Sequence, residues 1–323
     1  MITVRINLRQ SMTTYDSIMR VAASLLLFIT GWLLSVLARR SASGSTHDLS
    51  LYQYTDDGQV AQVAYAAQLV DRSDARVAFH DEQSDAVVMI LLKKSIYPEI
   101  LEPCPSTSTR SIIVLEDSGL VFMLAGYAPD CDYVFDGING VIQDHSLKYG
   151  ESPDVRFLSS ETSLRIVEGL YRYSGRSAVA RPLAAAVLMA SSRRGGDTGK
   201  VWQVDSSGSV TARRIALLGS ISDLQKRDIV DAISRREPSS CSSIDDPSMA
   251  ALLSKCKQCI ELLIGGAEEA ESSLLQYEVE CCVIVPLRPG GQLDVIRAPP
   301  ASSVEDLIHW LGGKLLRDKA STV

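Results

Sequence analysis

Histidine is scarce in this 323-residue chain. Its four copies, His47, His80, His145 and His309, lie far apart, and none stands at ligand spacing with carboxylates, so no metal centre is expected. Cysteine is more frequent but unordered. The seven residues (Cys104, Cys131, Cys241, Cys256, Cys259, Cys281 and Cys282) are an odd number without framework spacing, which excludes a secreted disulfide scaffold. Cys256-Lys-Gln-Cys259 has CxxC spacing, yet it falls inside a helical apolar stripe (Met249, Leu252, Leu253, Cys256, Ile260, Leu263). It has neither a second pair nor a βαβ setting, so the two read as ordinary helix residues. Proline and glycine stay near average, which excludes collagen-like and Pro-rich chains. Positive charge is in deficit, and a net charge of −7 argues against a general nucleic-acid binder, since phosphate contacts need clustered Lys and Arg. What is present is apolar: 46% hydrophobic residues against 22% charged ones exclude a wholly disordered chain and promise a sizeable core. The length allows one large domain or two ordinary ones.

Charge divides the chain into a leader, residues 1–44, and a body, residues 45–323. The leader carries Arg5, Arg9, Arg20, Arg39 and Arg40 against Asp16 alone, a sum of +4 that leaves −11 for the body. Within it, Val21–Ala38 has no charge and is bracketed by Arg20 and Arg39-Arg40. That run just reaches the length of a membrane-spanning helix. The basic start and the small residues from Ser41 to Gly44 also suit a secretory signal.

In the body, Leu49–Tyr54 reads as a short extended segment, followed by turn chemistry at Asp56-Asp57-Gly58. Val60, Val63, Ala67 and Val70 form the stripe of a helix ending near Asp71. Ala86–Leu92 is a continuous apolar run, as in a strand buried on both faces. A hairpin is expected from Ser111–Leu115 and Leu120–Leu124, then helices over Pro129–Leu147 and Glu161–Tyr173. Strands follow at Leu183–Ala190, Val201–Asp205, Val210–Arg213 and Ile215–Leu218, and helices at Ser222–Arg235 and Ser248–Gly265. A last hairpin (Glu280–Pro286, Gln292–Ile296) and a helix over Val304–Leu316 close the chain, while residues 236–248 read as a polar surface insertion. Strands and helices come in blocks, which points to an α+β layered fold with two antiparallel sheets between helix pairs.

Two motifs suggest chemistry. Gly195-Gly-Asp-Thr-Gly199-Lys200 resembles a phosphate loop, but its glycine spacing is one short and Val201 stands where a hydroxyl would bind magnesium. It also joins strand to strand, so it is expected to be a hairpin loop, and no cofactor is expected. Thr46, after Gly44-Ser45, could be a nucleophile exposed as a new amino terminus if a neighbouring base activated it.

The most specific string is His47-Asp48 followed by Tyr54-Thr-Asp-Asp-Gly58-Gln-Val-Ala-Gln62-Val63-Ala64-Tyr65-Ala66. It resembles the amino-terminal signature of proteasome alpha subunits, YDxxxxxFSPxGRLxQVEYA. Gly58, Gln62, Val63, Tyr65 and Ala66 are identical and Asp48 is in register. The likeness continues in order through Leu101-Glu102-Pro103, Gly126 with Asp130, Tyr149-Gly-Glu151 with Pro153, Arg181-Pro182, Asp205-Ser-Ser-Gly208 and Leu218-Gly219-Ser220. Around Glu102-Pro103 and Arg181-Pro182 it is most similar to the alpha-type-five subunit.

The resemblance implies a four-layer αββα sandwich of the N-terminal-nucleophile hydrolase type. It also implies a non-catalytic structural role in the outer ring of the proteasome core particle, in assembly and pore gating for ubiquitin-dependent degradation. Partners would be the other alpha subunits of a seven-membered ring, beta subunits and activator particles, with no nucleic acid, in cytoplasm and nucleus. Gate and ring contacts would fall to His47, Asp48, Asp56, Gly58, Gln62, Val63, Tyr65 and Ala66, with the small residues Ala61, Ala64, Ala66 and Ala67 admitting a neighbour. His47, Asp56 and Ala64 depart from the family's Tyr, Pro and Glu. Where the family pairs a Lys with activator tails, this chain has Ser111 beside Arg110, and Arg110 could pair with a carboxylate instead. Catalytic beta subunits carry an N-terminal Thr with an Asp sixteen and a Lys thirty-two residues later; counting from Thr46 gives Gln62 and Ala78, so catalysis is not expected. The competing readings are a stand-alone N-terminal-nucleophile hydrolase and a membrane-anchored relative outside the ring, the latter because segment 21–38 conflicts with a cytosolic particle unless the start site is misassigned.

Overall fold

Two apolar runs dictate the architecture, because a strand with no polar face needs a packing partner on both sides. The computed structural model describes residues 54, 58–94, 112–115, 118–172, 181–191, 200–235, 247–265, 277–285, 294–297 and 304–320. These all belong to a unit spanning Leu51–Val323. The leader, its apolar segment and the insertion's residues 236–246 lie outside the described residues.

The elements run α1 (Ala61–Asp71), β1 (Ala75–Asp81), β2 (Ala86–Lys94), β3 (Ile113–Leu115), β4 (Leu120–Gly126), α2 (Ala128–Tyr149) and α3 (Val155–Arg172). Then follow β5 (Ala185–Ser191), β6 (Val201–Val204), β7 (Val210–Arg213), β8 (Ile215–Leu218), α4 (Asp223–Ser234), α5 (Pro247–Gly265), β9 (Tyr277–Val285), β10 (Asp294–Arg297) and α6 (Val304–Ala320). They build two five-stranded antiparallel sheets, ordered β10-β9-β2-β1-β8 (sheet A) and β3-β4-β5-β6-β7 (sheet B).

Strand alternation sorts the apolar runs into three packed layers. Val87, Met89 and Leu91 of β2 face Val121, Met123 and Ala125 of β4 and Ala186, Leu188 and Ala190 of β5 between the sheets. The alternate residues Ala86, Val88, Ile90 and Leu92 face α4, α5 and α6, while Leu120, Phe122 and Leu124 face α2 and α3. The four-layer αββα sandwich is therefore present, with a third helix, α6, added to the pair outside sheet A. Fully buried side chains such as Phe79, Phe122 and Met89 each stabilise it by about 1.5–3 kcal/mol.

Two elements differ from the expectation. β1 was not anticipated as a strand, although it is central in sheet A, between β2 and β8. Its sequence ARVAFHD places Arg76 and His80 on one face, which hides the apolar alternation of Ala75, Val77 and Phe79. α3 begins at Val155 rather than at Glu161. The Leu158 amide donates to the Asp154 carbonyl at 2.9 Å, and Val155 and Leu158 are buried, so the first turns pack although their pattern is short.

Candidate functional site

The residues singled out for assembly lie on α1 and the turn before it. Gly58 has φ +75 and open space around it, so backbone conformation rather than crowding favours glycine there. α1 lies against β4 and β5. Ala61, Ala66 and Val70 are buried on that side, and Val70 reaches the core between the sheets. Half of the small-residue face expected to meet a neighbour thus packs on the chain's own sheet, since Ala61 and Ala66 are covered while Ala64 and Ala67 are half-buried. Gln62 and Val63 are also half-buried. Tyr65 and Leu69, four residues apart and therefore on one helix face, are 45% and 43% exposed and form an apolar ridge to solvent. His47, Asp48, Asp56, Thr46, Arg110 and Ser111 lie outside the described residues.

α1 leads into β1 through a clamped corner. The Ser73 hydroxyl donates to the Val70 carbonyl at 2.7 Å, and Arg76 Nη1 donates to the Asp74 carbonyl at 2.5 Å and to Ser73 Oγ at 3.2 Å. From the other side, the Ser220 amide donates to the Ser73 carbonyl at 2.8 Å. Gly219, at φ +88, lies so close that a Cβ there would overlap the Asp74 carbonyl. The head of β1 is thus an internal peptide corner. Of the positions counted from Thr46, Gln62 stands on α1 and Ala78 is buried between the sheets.

Charged residues missed from the sequence close the same end of the sandwich. Glu280 of β9 is buried, pairs with Lys93 of β2, and accepts the Ile112 amide at 3.0 Å. That bond ties sheet A to the backbone at the start of β3, the residue after Ser111. The available signal was only a charge at the end of each apolar strand, for the partners are 187 positions apart.

Two quoted motifs meet at the mouth of α2. Asp130 accepts two hydrogen bonds from Arg181, at 2.6 and 2.7 Å, and a third from the Ala184 amide at 2.8 Å. Those bonds push the Arg181 guanidinium above its ordinary range, and Arg181 also lies 5.1 Å from the centre of the Tyr127 ring. Gly126, at φ +132, packs where any Cβ would overlap the Ala184 carbonyl. The Asp205–Gly208 motif is the β6–β7 turn, closed by the Gly208 amide on the Asp205 carbonyl at 2.8 Å and docked on α3 through Ser163. The segment containing Gly195–Lys200 connects β5 to its antiparallel neighbour β6. Among the described residues no cluster of His, Cys, Asp or Glu could hold a metal ion, and no helix is long and apolar enough to cross a membrane.

A proteasome-subunit family profile matches residues 83–229, from the β1–β2 turn through all of sheet B into α4. That stretch, a little under half of the chain, resembles a proteasome-subunit domain. It is similar to proteasome subunit alpha type-7-B of Oryza sativa subsp. indica, at 26% identity over 166 residues, 51% of this chain and 62% of that one. It is likewise 26% identical over 186 residues to a proteasome subunit alpha of Haloquadratum walsbyi, covering 57% and 69% of the two chains. Proteasome subunit alpha type-3 of Drosophila melanogaster matches at 26% over 151 residues, 47% of this chain and 55% of that one. The chain thus spans a little under two thirds of the rice relative's length.

Proposed function

We propose that this chain is a non-catalytic structural alpha subunit of the proteasome core particle, contributing to outer-ring assembly and pore gating in protein degradation. The observation that carries this reading is α1. It is a helix ahead of the first strand, packed on β4 and β5 and bonded through Ser73 and Asp74 into β1, with Tyr65 and Leu69 turned to solvent. A hydrolase of this fold type would need an activated nucleophile at a free amino terminus, with acid and amine groups to tune it. The positions counted from Thr46 offer Gln62 and Ala78 instead.

In this reading Tyr65 and Leu69 bury against a neighbouring alpha subunit, and the segment with His47, Asp48, Asp56 and Gly58 forms the gate. Arg110, beside Ser111, receives the carboxylate tail of an activator particle. Beta subunits complete the particle, and the working compartment is cytoplasm and nucleus. The relatives' names support alpha-type membership, and the family profile supports the fold.

The test is incorporation. Tyr65→Ala combined with Leu69→Ala is expected to reduce entry into the core particle about tenfold on native gels, in the range of lost interface anchors. Its Tm should stay unchanged, since both side chains are exposed. Equal incorporation of the variant and the unsubstituted chain would refute the assigned surface.

A further inference from the structure

The string Tyr149-Gly-Glu151 with Pro153 has no part in the proposed function, yet it marks the corner where α2 hands over to α3. His145 and Tyr149 stand four residues apart on one face of α2, with ring centres 4.5 Å apart and planes at 45°. Phe157, in the first turn of α3, brings a third ring to within 5.6 Å of His145, at 49°. The rings are tilted rather than stacked, and two of them are open to water, Tyr149 being 69% and Phe157 44% exposed.

Four features of this corner favour a positive guest. Aromatic faces carry negative potential. α2 ends here, at the left-handed Gly150, and the carbonyl end of a helix adds a partial negative charge. Exposed Asp144, Glu151 and Asp154 outnumber Lys148 and Arg156. The His145 ring is also oriented. Its Nδ1 lies 3.0 Å from the Glu151 carbonyl, which can only accept, so Nδ1 carries the proton and Nε2 of the neutral ring keeps a lone pair for a donor.

The other tyrosines of the same helix layer indicate what that guest is. Tyr133 lies under Arg165 at 5.5 Å, and Tyr127, just before α2, lies under Arg181 at 5.1 Å. Among the described residues no cation of the chain covers Tyr149 in this way. We propose that the His145–Tyr149–Phe157 corner is a docking site for an arginine side chain of a partner protein. The guanidinium lies on the Tyr149 ring and donates one N–H to His145 Nε2. The corner is built from other elements than the Tyr65–Leu69 ridge, so the two surfaces stand or fall separately.

The full chain, isotope-labelled in its tyrosine and histidine rings, is titrated with N-acetyl-arginine N-methylamide and followed by NMR. The citrulline compound, of the same shape without the charge, is titrated in parallel. The arginine compound should shift the Tyr149 and His145 rings saturably, and the citrulline compound should not. Tyr149→Leu, which also identifies the Tyr149 signal, should weaken the binding read at His145 about fivefold. His145→Phe keeps a ring but loses the lone pair, and should weaken the binding read at Tyr149 about threefold. The lysine compound should bind less tightly, because an ammonium lacks the planar face of a guanidinium. The proposal fails if citrulline shifts the same rings equally, if lysine binds more tightly than arginine, or if Tyr149→Leu leaves the His145 response unchanged. The arginine–citrulline comparison on the unsubstituted chain decides the matter even if a variant folds poorly.

Discussion

Beneath α5 the helix layer is fastened to its sheet by an ion pair sealed from water, whereas the fastening at the mouth of α2 is open on one side. Asp81 at the end of β1 meets Lys255 of α5 at 2.7 Å, and both side chains are buried. Asp130 and Arg181 meet at 2.6 Å, but nearly half of the Arg181 side chain is exposed. The chemistry is the same and the surroundings are not. Removing one partner of a sealed pair strands a charge in low dielectric, while truncating the half-exposed Arg181 opens a path for water to the buried Asp130, which also keeps the Ala184 amide. The sheet B junction takes its precision from elsewhere, from Gly126 and the backbone approach it permits.

The largest effect should come from the sealed pair. Lys255→Met is expected to destabilise by about 3–5 kcal/mol in urea unfolding, and adding Asp81→Asn should recover a large part of that. An additive double variant would contradict the account. Gly126→Ala comes next, at about 3 kcal/mol, because it combines a φ of +132 with overlap on the Ala184 carbonyl. Arg181→Ala should lower stability by only about 1 kcal/mol, and less at high salt, as measured by the same titration.

Acid acts on the sealed pair in another way. Burial pushes the Asp81 carboxyl up, but hydrogen bonds from Lys255 and Ser84 together outweigh it and hold the group below its ordinary 3.8. A carboxyl depressed by folding contributes stability that is complete above the ordinary value and is lost as pH falls through the lower folded value. Urea midpoints followed downward in pH should therefore fall more steeply for the unsubstituted chain than for Asp81→Asn. The smallest effect has the opposite sign. Gly313 lies inside α6 with open space where a Cβ would stand, so Gly313→Ala should stabilise by about 0.5–1 kcal/mol, read as a small rise in urea midpoint.

The same two regions explain what could be read from the sequence. Around sheet B, function and structure are written in short strings: Gly126 four residues before Asp130, Arg181-Pro182 at the lead into β5, and Asp205 to Gly208 in one turn. Gly126 and Gly208 are dictated by local backbone conformation, at φ +132 and +81, so a short string is enough to reveal them. Around sheet A the decisive contacts join Asp81 to Lys255 and Lys93 to Glu280, 174 and 187 positions apart, and a single charge at a strand end does not reveal its partner. β1 was lost for a related reason, since Arg76 on its inner face interrupts the apolar pattern. Of the proposed site, α1 was legible through its stripe at Val60, Val63, Ala67 and Val70. The orientation of that helix was not, because small residues such as Ala61 and Ala66 suit a chain's own sheet and a neighbour equally well.

Native mass measurement of a tagged chain from its own cells tests the central claim most directly. The account predicts a large heteromeric particle in which this chain is present and takes up no hydroxyl-reactive warhead. A free monomer, or a chain covalently trapped by the warhead, would contradict it.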